Sequence, residues 1–136
     1  MKEDCLFCKL ANGVFSTNSI YEDDMFNVIM DINPISKGHC LVLCKEHYEN
    51  ALVAPEEILG KAFVLASKIA NAVKKTVGCD GINILQNNGV AAEQTVFHLH
   101  LHIIPRWDND GIKLAPEPKP AENDLAELAK MIGENI

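Results

Sequence analysis

The sequence has 136 residues, of which 48% are hydrophobic and 23% charged, a balance that predicts a folded domain with a substantial apolar core. Its formal net charge of −7 argues against DNA or RNA as a partner, although a small anion could still bind in a local pocket. No segment approaches the roughly 18 apolar residues of a membrane span and no signal peptide is recognisable. With an odd number of cysteines, five, we expect a reducing, cytoplasmic location and no membrane partner.

Local patterns predict the elements of the first half of the chain. A short helix is expected over 5–11, with Asp4 as its N-terminal cap. Residues 20–32 alternate loosely between apolar and polar side chains and indicate two strands around an acidic turn. A further strand is expected over 39–44. The longest helix, with proline and two glutamates in its first turn, is predicted over 55–77.

The second half continues the alternation of strands and helices. Strands are predicted at 82–85 and at 96–104, and a proline-rich segment over 115–121 is expected to be extended. A last helix should begin at about Asp124, with Glu127 placed for a capping box. Its apolar residues Leu125, Leu128 and Ile132 are expected to face inward. We therefore predict an α+β fold in a single domain over 1–136, with 111–136 as an extended segment plus short helix.

Three of the five histidines stand at alternate positions in the stretch HLHLHII, at His98, His100 and His102. Alternation with period two is typical of a strand, so these rings should share one face. The opposite, core-facing residues would be Phe97, Leu99, Leu101 and Ile103. Neighbouring histidines would stand roughly 6.6 Å apart and the outer pair roughly 13 Å apart. One metal ion cannot easily bind all three, so at least one histidine should differ in role from the others.

A second group of candidate ligands is the Cys5-Leu6-Phe7-Cys8 motif. Such a pair can be a redox couple, half of a zinc site or two buried thiols. A redox pair normally follows a strand and opens a longer helix, which this one does not. A structural zinc site needs four ligands, and no second Cys-x-x-Cys is present. Cys40 and Cys44 are too far apart in a strand for a disulfide and are expected in the core.

Three segments resemble the histidine triad (HIT) superfamily: QTVFHLHLHIIPR at 94–106, DINPISKGHCLVLCKEH at 31–47, and NILQNNG at 83–89. The resemblance implies an antiparallel five-stranded sheet with one long helix and shorter terminal helices, continued across a homodimer. It also implies a hydrolase or transferase that acts on the α-phosphate of purine nucleotides such as AMP derivatives, with no metal required for the chemistry.

The resemblance also implies roles for individual residues around the phosphate. His100 corresponds to the nucleophile, which would form a phosphohistidine intermediate. His102 would bind the phosphate or orient the ring, and His39 would support the triad from a buried position. Thr95 corresponds to a hydroxyl residue that contacts the phosphate or the leaving group.

Further positions match the substrate-binding residues of the family. Gln94 and Asn87 correspond to residues near the phosphate, and Asp31 to the acid that binds the ribose hydroxyls. The base pocket would be lined by Phe7, Leu10 and Ile32. Each also has a plain structural explanation: a strand threonine, a turn asparagine, a turn aspartate, or core packing for the apolar residues.

The zinc-bearing branches of the family suggest the partners of the cysteine pair. By this resemblance, Cys5, Cys8, His47 and His98 would bind a structural Zn²⁺, which leaves His100 and His102 for the phosphate. Buried thiols without metal remain the alternative. One departure concerns Glu93, where many members have glycine, because a carboxylate adds bulk and negative charge near an anion.

Several functions therefore remain open from the sequence. A nucleoside phosphoramidase-type hydrolase is the leading hypothesis, with a dinucleoside polyphosphate hydrolase or a nucleotidyltransferase as alternatives of the same family. A nucleotide-binding or interaction module with vestigial catalysis belongs to another class. A metal-dependent hydrolase with zinc on His-x-His would explain the triad without the family, but it lacks a good third ligand and an obvious water-activating acid.

Overall fold

A computed structural model describes all 136 residues, and its centre is one antiparallel sheet of five strands in the order β1-β2-β3-β5-β4. The strands are β1 Ser19–Glu22, β2 Phe26–Met30, β3 Cys40–Cys44, β4 Gly81–Leu85 and β5 His100–Arg106. The helices are α1 Leu6–Ala11, α2 Glu56–Val77 and α3 Leu125–Gly133. The predicted α+β fold, with five antiparallel strands, one long helix and shorter terminal helices, is confirmed.

Helix α2 covers one face of the sheet and forms the main core with it. The helix places Ala62 and Ala66 against the strands, and these small side chains are 1% and 0% exposed, which lets helix and sheet approach closely. The strands contribute alternate residues to this face: Val28 of β2, Cys40, Val42 and Cys44 of β3, and Leu101 and Ile103 of β5. Cys40 and Cys44 are therefore core thiols, as predicted.

The opposite face of the sheet is covered only in part, by the short helix α1. A second apolar cluster there joins Ala11 to Ile29, Leu41 and Leu43, with Phe7 and Leu10 packed against it. Because side chains alternate along β5, the residues between its core positions must face this second side. His100 and His102 are paired with Leu43 and Leu41 of β3 and lie on this face.

The histidine strand begins later than the predicted residue 96. β5 starts at His100, and Phe97, which we expected in the core, is 41% exposed. The reason is the length of the neighbouring strand: β3 ends at Cys44, whose N–H donates to the carbonyl of Leu99 at 3.4 Å. The N–H of Leu99 donates to the carbonyl of Tyr48 at 2.7 Å. Residues before this point have no strand to pair with.

The cap of α1 also differs from the prediction. Cys5, and not Asp4, is the N-cap residue, and its sulfur accepts a hydrogen bond from the N–H of Cys8 at 3.4 Å. The sulfur of Cys5 also belongs to the cluster of cysteine and histidine side chains described below, where it lies 3.5 Å from Nδ1 of His98.

Helix α3 is capped as predicted but does not pack inward. The carboxylate of Asp124 accepts a hydrogen bond from the N–H of Glu127 at 3.1 Å. Leu125, Leu128 and Ile132 are exposed, which corrects our expectation for them. The preceding segment contains three prolines within 115–121, which have no N–H to donate to a strand, so it adds nothing to the sheet that could hold α3 against it.

The structure contains no helix that combines the length and the apolar character needed to cross a bilayer.

Gly38 positions the loop that leads into His39 and β3. Its φ is +92°, and a Cβ there would lie 3.1 Å from Val77 and 3.3 Å from Pro105. We expect Gly38→Ala to lower the free energy of unfolding by about 1–3 kcal/mol, because strain and overpacking add. Urea denaturation measures this change. Gly60→Ala, in α2 with open space around it, is the control and should be neutral or stabilising. Equal stability of Gly38→Ala and wild type would contradict the prediction.

Candidate active site and metal site

A cavity of about 540 Å³ opens on the second face of the sheet, beside α1. Seven of the predicted site residues line it: Phe7, Leu10, Asp31, Ile32, Thr95, His100 and His102. The predicted residues His39, Asn87 and Gln94 are not among its lining residues. The volume lies within the range of small-molecule binding sites.

His100 lines this cavity, and one of its ring nitrogens is already hydrogen-bonded. Its Nδ1 is 2.6 Å from the carbonyl oxygen of His98, so Nδ1–H donates and the lone pair of Nε2 stays free. The ring of Phe7 packs edge-on against the imidazole, with centroids 4.8 Å apart. Burial lowers the pKa of His100 and favours the neutral ring. The result is an oriented, neutral imidazole with its lone pair on Nε2.

His39 and His102 form a chain of directed hydrogen bonds. The backbone N–H of Ile35 donates to Nδ1 of His39 at 3.0 Å, so the other nitrogen of a neutral His39 carries the proton. That Nε2–H donates to Nδ1 of His102 at 2.9 Å. His102 is thereby left with a proton on Nε2. Burial, with the neighbouring rings of His100 and His39, lowers the pKa of His102 to about 4, which keeps this ring neutral.

Asp31 lies at the edge of the same cavity, directly after β2. Its Oδ1 accepts a hydrogen bond from the N–H of Asn33 at 2.8 Å, which fixes the turn. Its Oδ2 lies 3.6 Å from Nε2 of His39. Asp31, His39 and His102 form a compact group, but both nitrogens of His39 already have partners, so we interpret the group as a hydrogen-bonded chain.

The loop before Thr95 is held by Gln94. The side chain of this buried residue accepts from the N–H of Gly89 at 2.8 Å and donates to the carbonyls of Glu49 at 2.7 Å and Val96 at 3.1 Å. In this conformation it faces the backbone of the loop. Thr95 follows and lines the cavity, whereas the half-buried Asn87 lies at the other end of the loop.

Glu93 adopts a backbone conformation that favours glycine. Its φ is +68°, and Asn109 is the only other non-glycine residue with a positive φ. The residue ends the short turn Val90–Ala92 and its side chain is exposed. A non-glycine residue in this region costs roughly 1 kcal/mol. The backbone geometry at this position therefore favours glycine, whereas this chain has a charged residue there.

A second cluster lies beside the cavity, where α1 meets the segment before β5. The Sγ atoms of Cys5 and Cys8 and ring nitrogens of His47 and His98 lie within 4.8 Å of one another. Nδ1 of His98 is 3.2 Å from Nδ1 of His47, 3.5 Å from the sulfur of Cys5 and 3.4 Å from that of Cys8. The sulfur of Cys8 is 3.3 Å from Nδ1 of His47.

These separations fit a tetrahedral metal site. Bonds of about 2.0 Å to nitrogen and 2.3 Å to sulfur place tetrahedral ligands about 3.3 Å apart for two nitrogens and about 3.5 Å apart for nitrogen and sulfur. The measured distances of 3.2 Å and 3.3–3.5 Å agree with these values. The four residues could therefore hold a metal ion without rearrangement.

The second nitrogen of His98 supports the same conclusion. Nε2–H donates to the carbonyl of Cys44 at 2.6 Å, which fixes the tautomer and presents the lone pair of Nδ1 to the cluster. Burial lowers the pKa of His98 to about 4, so the ring is neutral as a metal ligand requires. His98 thus lies in a different cluster from the other two histidines, which line the cavity.

Sequence reasoning missed the backbone groups that orient the three rings. The carbonyls of Cys44 and His98 and the N–H of Ile35 have no side-chain signature. It also missed part of the cavity wall, formed by Leu6, Ser16, Thr17, Asn18, Ile29, Met30, Asn33, Leu41 and Val96. The polar run at 16–18 between two predicted elements was a signal that could have identified one wall.

A five-stranded α+β fold with alternate histidines at a central strand, beside a cavity of small-molecule size, defines the class of histidine triad proteins. The family model described as the HIT domain matches residues 12–109. The chain belongs to the HIT domain family.

Named relatives support this membership. The chain is 42% identical over 110 residues to the adenylylsulfatase HINT3 of Arabidopsis thaliana, which covers 81% of this chain and 56% of the relative, so it spans little more than half of that protein. It is 33% identical over 127 residues to the adenosine 5′-monophosphoramidase HNT1 of Saccharomyces cerevisiae, covering 93% of this chain and 77% of the relative.

Solved structures agree in fold. A protein of Streptococcus mutans UA159 superposes with a TM-score of 0.92 at 38% identity, over 99% of this chain and 87% of the other. A zinc-bound histidine triad family protein from Mycobacterium smegmatis superposes with a TM-score of 0.77 at 38% identity, over 85% of this chain and 84% of the other.

Proposed function

We propose that this protein is a nucleotide hydrolase that cleaves adenosine 5′-monophosphate from small leaving groups, such as the nitrogen of a nucleoside phosphoramidate. The observation that carries the proposal is the orientation of His100, whose Nδ1–H is bound to the carbonyl of His98 and whose Nε2 is free within the cavity. The names of two relatives, an adenylylsulfatase and an adenosine 5′-monophosphoramidase, are consistent with cleavage at an adenylyl phosphate.

In the proposed reaction Nε2 of His100 attacks the α-phosphorus. The new nitrogen–phosphorus bond forms as the bond to the leaving group breaks, and the leaving nitrogen takes up a proton from solvent water to depart as a neutral amine or ammonia. The later hydrolysis returns this proton to water. Water then cleaves the phosphohistidine to give AMP and regenerate the imidazole. As charge develops at His100 during attack, the carbonyl of His98 stabilises it through the hydrogen bond from Nδ1–H.

His102 and His39 are assigned to the phosphate. The bond from His39 leaves His102 with a proton on Nε2, which can donate to a nonbridging phosphate oxygen. The backbone N–H of Ile35 holds His39 in the required tautomer. His39 is therefore a positioning residue in this proposal, because it acts through His102.

The remaining cavity residues are assigned to the nucleotide. Thr95 offers a hydroxyl for the phosphate or the leaving group, and Asp31 offers a carboxylate for the ribose hydroxyls. Gln94 and Asn87 belong to the loop on the phosphate side, where the backbone bonds of Gln94 fix the position of Thr95. The base is assigned to the apolar lining residues Phe7, Leu10 and Ile32.

Glu93 favours small leaving groups over polyphosphates in this proposal. One residue lies between Glu93 and Thr95, so their α-carbons are at most about 7 Å apart. A carboxylate on the loop just before Thr95 would raise the energy of a leaving group with several negative charges. This is the reason to rank a phosphoramidase above the alternatives of dinucleoside polyphosphate hydrolase and nucleotidyltransferase.

We propose zinc as the ion for the cluster of Cys5, Cys8, His47 and His98, because two thiolates and two imidazoles are a common structural zinc set. The existence of a zinc-bound family member supports this choice. The ion would tie α1 to the segment before β5 and would take no part in bond cleavage. His98 belongs to this cluster, so zinc held by His-x-His as a catalytic ion is not favoured.

We also propose a homodimer in which the sheet continues from one chain into the other. Strand β4 is at the edge of the sheet and pairs only with β5, so its outer backbone groups are available for a second copy. Helix α2 lies against the same region and exposes Phe63 and Val64. Two-fold pairs are the commonest oligomers.

The proposed nucleophile is tested by His100→Asn. We expect hydrolysis of adenosine phosphoramidate to fall by at least about a thousandfold, because only positioning and electrostatic effects remain. AMP affinity should change little, since the ring acts mainly in bond making. His102→Asn is the comparison and should cost less activity but also weaken AMP binding. Initial rates and calorimetric titration with AMP provide the two measurements.

Acid quenching during turnover gives the decisive outcome for that proposal. An AMP adduct should be found on the peptide that contains residues 94–106 and should be absent in His100→Asn. An adduct that persists in the variant would assign the nucleophile elsewhere. AMP binding without adduct or turnover would indicate a binding module, and turnover abolished by chelation without an adduct would indicate a metal hydrolase.

The proposed zinc site is tested by metal content and thermal stability. Purified protein should carry about one zinc ion per chain, and Cys8→Ala should lose it and melt at a lower temperature, because metal binding contributes to folding. Elemental analysis and calorimetry measure both. Cys79→Ala removes a buried thiol outside the cluster and should keep the metal. Full zinc content in Cys8→Ala would refute this site.

The proposed homodimer is tested by analytical ultracentrifugation. At micromolar concentration the protein should sediment with about twice the mass of 15.0 kDa calculated for one chain, because pairing of β4 edges satisfies otherwise open backbone groups. A single species of one chain mass at this concentration would refute the homodimer.

A further inference from the structure

Helix α3 presents an apolar surface that nothing in its own chain covers. None of its residues is buried. Its large apolar side chains, with that of the C-terminal residue, are exposed: Leu125 63%, Leu128 39%, Met131 53%, Ile132 59% and Ile136 104%. Leu125, Leu128 and Ile132 recur at helical spacing and so form one stripe, with Glu127, Lys130 and Glu134 at other positions.

A helix of nine residues is too short to be stable by itself in water, so most of its stability must come from packing. The position of α3 is also shared with a solved relative. Residues 111–136 make up about a fifth of the chain, so a TM-score of 0.92 over 99% of it requires part of this segment to be placed alike in both proteins. Because the apolar stripe of α3 is exposed in its own chain, a shared position points to a partner outside it.

An open groove of matching character lies elsewhere on the molecule. Between the β1–β2 turn and the outer side of α2 is a cavity of about 440 Å³ with Met25, Leu65 and Ile69 in its lining. Val64, also in the lining, is 56% exposed. The α3 of the same chain leaves this groove uncovered.

The charges around the groove and on α3 are complementary. Lys61 and Lys68 lie at the groove in a chain whose net charge is −7. Lys61 also pairs with Glu57 of its own helix, and Asp23, the acid in the lining, is engaged by the N–H groups of Met25 and Phe26 and by Tyr21. Lys68 has no such pair.

The α3 region carries the opposite sign. Asp124, Glu127 and Glu134 outnumber Lys130. The apolar stripe of α3 is thus accompanied by acidic side chains, and the apolar groove has lysines at its rim. The two surfaces are complementary in charge.

We propose that α3 of one chain docks its apolar stripe into this groove on a second copy, with the reciprocal contact made by the other α3. The exchange is an isologous contact, in which the same two surfaces meet twice across a two-fold axis. Because α2 provides one wall of the groove and is also part of the proposed homodimer surface, the inference rests on that homodimer and extends it to the C-terminal segment.

Mixed cysteine variants test whether the contact is made between chains. Val64→Cys and Leu128→Cys are purified separately, mixed, allowed to exchange subunits and oxidised with copper phenanthroline. A disulfide dimer joining the two variants is expected on a non-reducing gel and by mass spectrometry of the linked peptides. Each variant oxidised alone is the control for disulfides with the native cysteines. Absence of the joined peptide after verified subunit exchange would overturn the inference.

A second measurement uses full-length variants of the stripe. Leu128→Asn with Ile132→Asn should raise the dimer dissociation constant by at least about tenfold, since it removes two central apolar contacts. Val90→Asn changes an apolar residue that is 75% exposed outside α3 and should have no effect. A dimer unaffected by the stripe substitutions overturns the inference and leaves the homodimer intact. A monomeric wild type overturns both, whereas the phosphoramidase assay reports on the catalytic proposal independently.

Discussion

The arrangement of both candidate sites depends on the packing of one side of β5 against α2. Leu101 and Ile103, with Leu99 just before the strand, are buried in the main core at 6% exposure or less. Because side chains alternate along a strand, His100 and His102 must lie on the opposite face once these residues are buried. A shift of one residue in register would bury His100 and His102 under α2 and expose three large apolar side chains.

The two sites are joined through a single residue. The ring of His98 lies in the cysteine cluster and donates to Cys44, while its carbonyl accepts from the ring of His100. Anything that fixes the ring of His98 therefore also fixes the carbonyl that orients His100. Through this connection, a metal ion bound by the cluster would influence the cavity although it would lie outside it, in the same way as outer hydrogen bonds orient metal ligands.

Most elements of the fold could be predicted because their signals are local. The strands around residues 20–32, the strand of Cys40–Cys44 and the helix Glu56–Val77 follow from periodicity and from turn and cap residues. The predictions that failed depend on contacts between segments that are distant in the sequence. The pattern from Val96 to Phe97 alternates well, but β3 is too short to pair with it. The stripe of α3 looks like a core face, yet no surface of the same chain meets it.

For the site, the sequence by itself determined which chemical groups are present and on which face of a strand they can stand. The spacing of three histidines already predicted different roles for them, because alternate strand positions are too far apart for one ion. Only the tertiary structure decided the details. It brought Cys5 and Cys8 from the start of the chain to within 3.5 Å of His98 and His47, and it aimed backbone groups of Ile35, Cys44 and His98 at the rings. A backbone N–H or carbonyl is the same in every residue, so no sequence pattern records where it points. Its direction is set by how strands and loops pack, and that direction fixes the protons on His39, His98, His100 and His102.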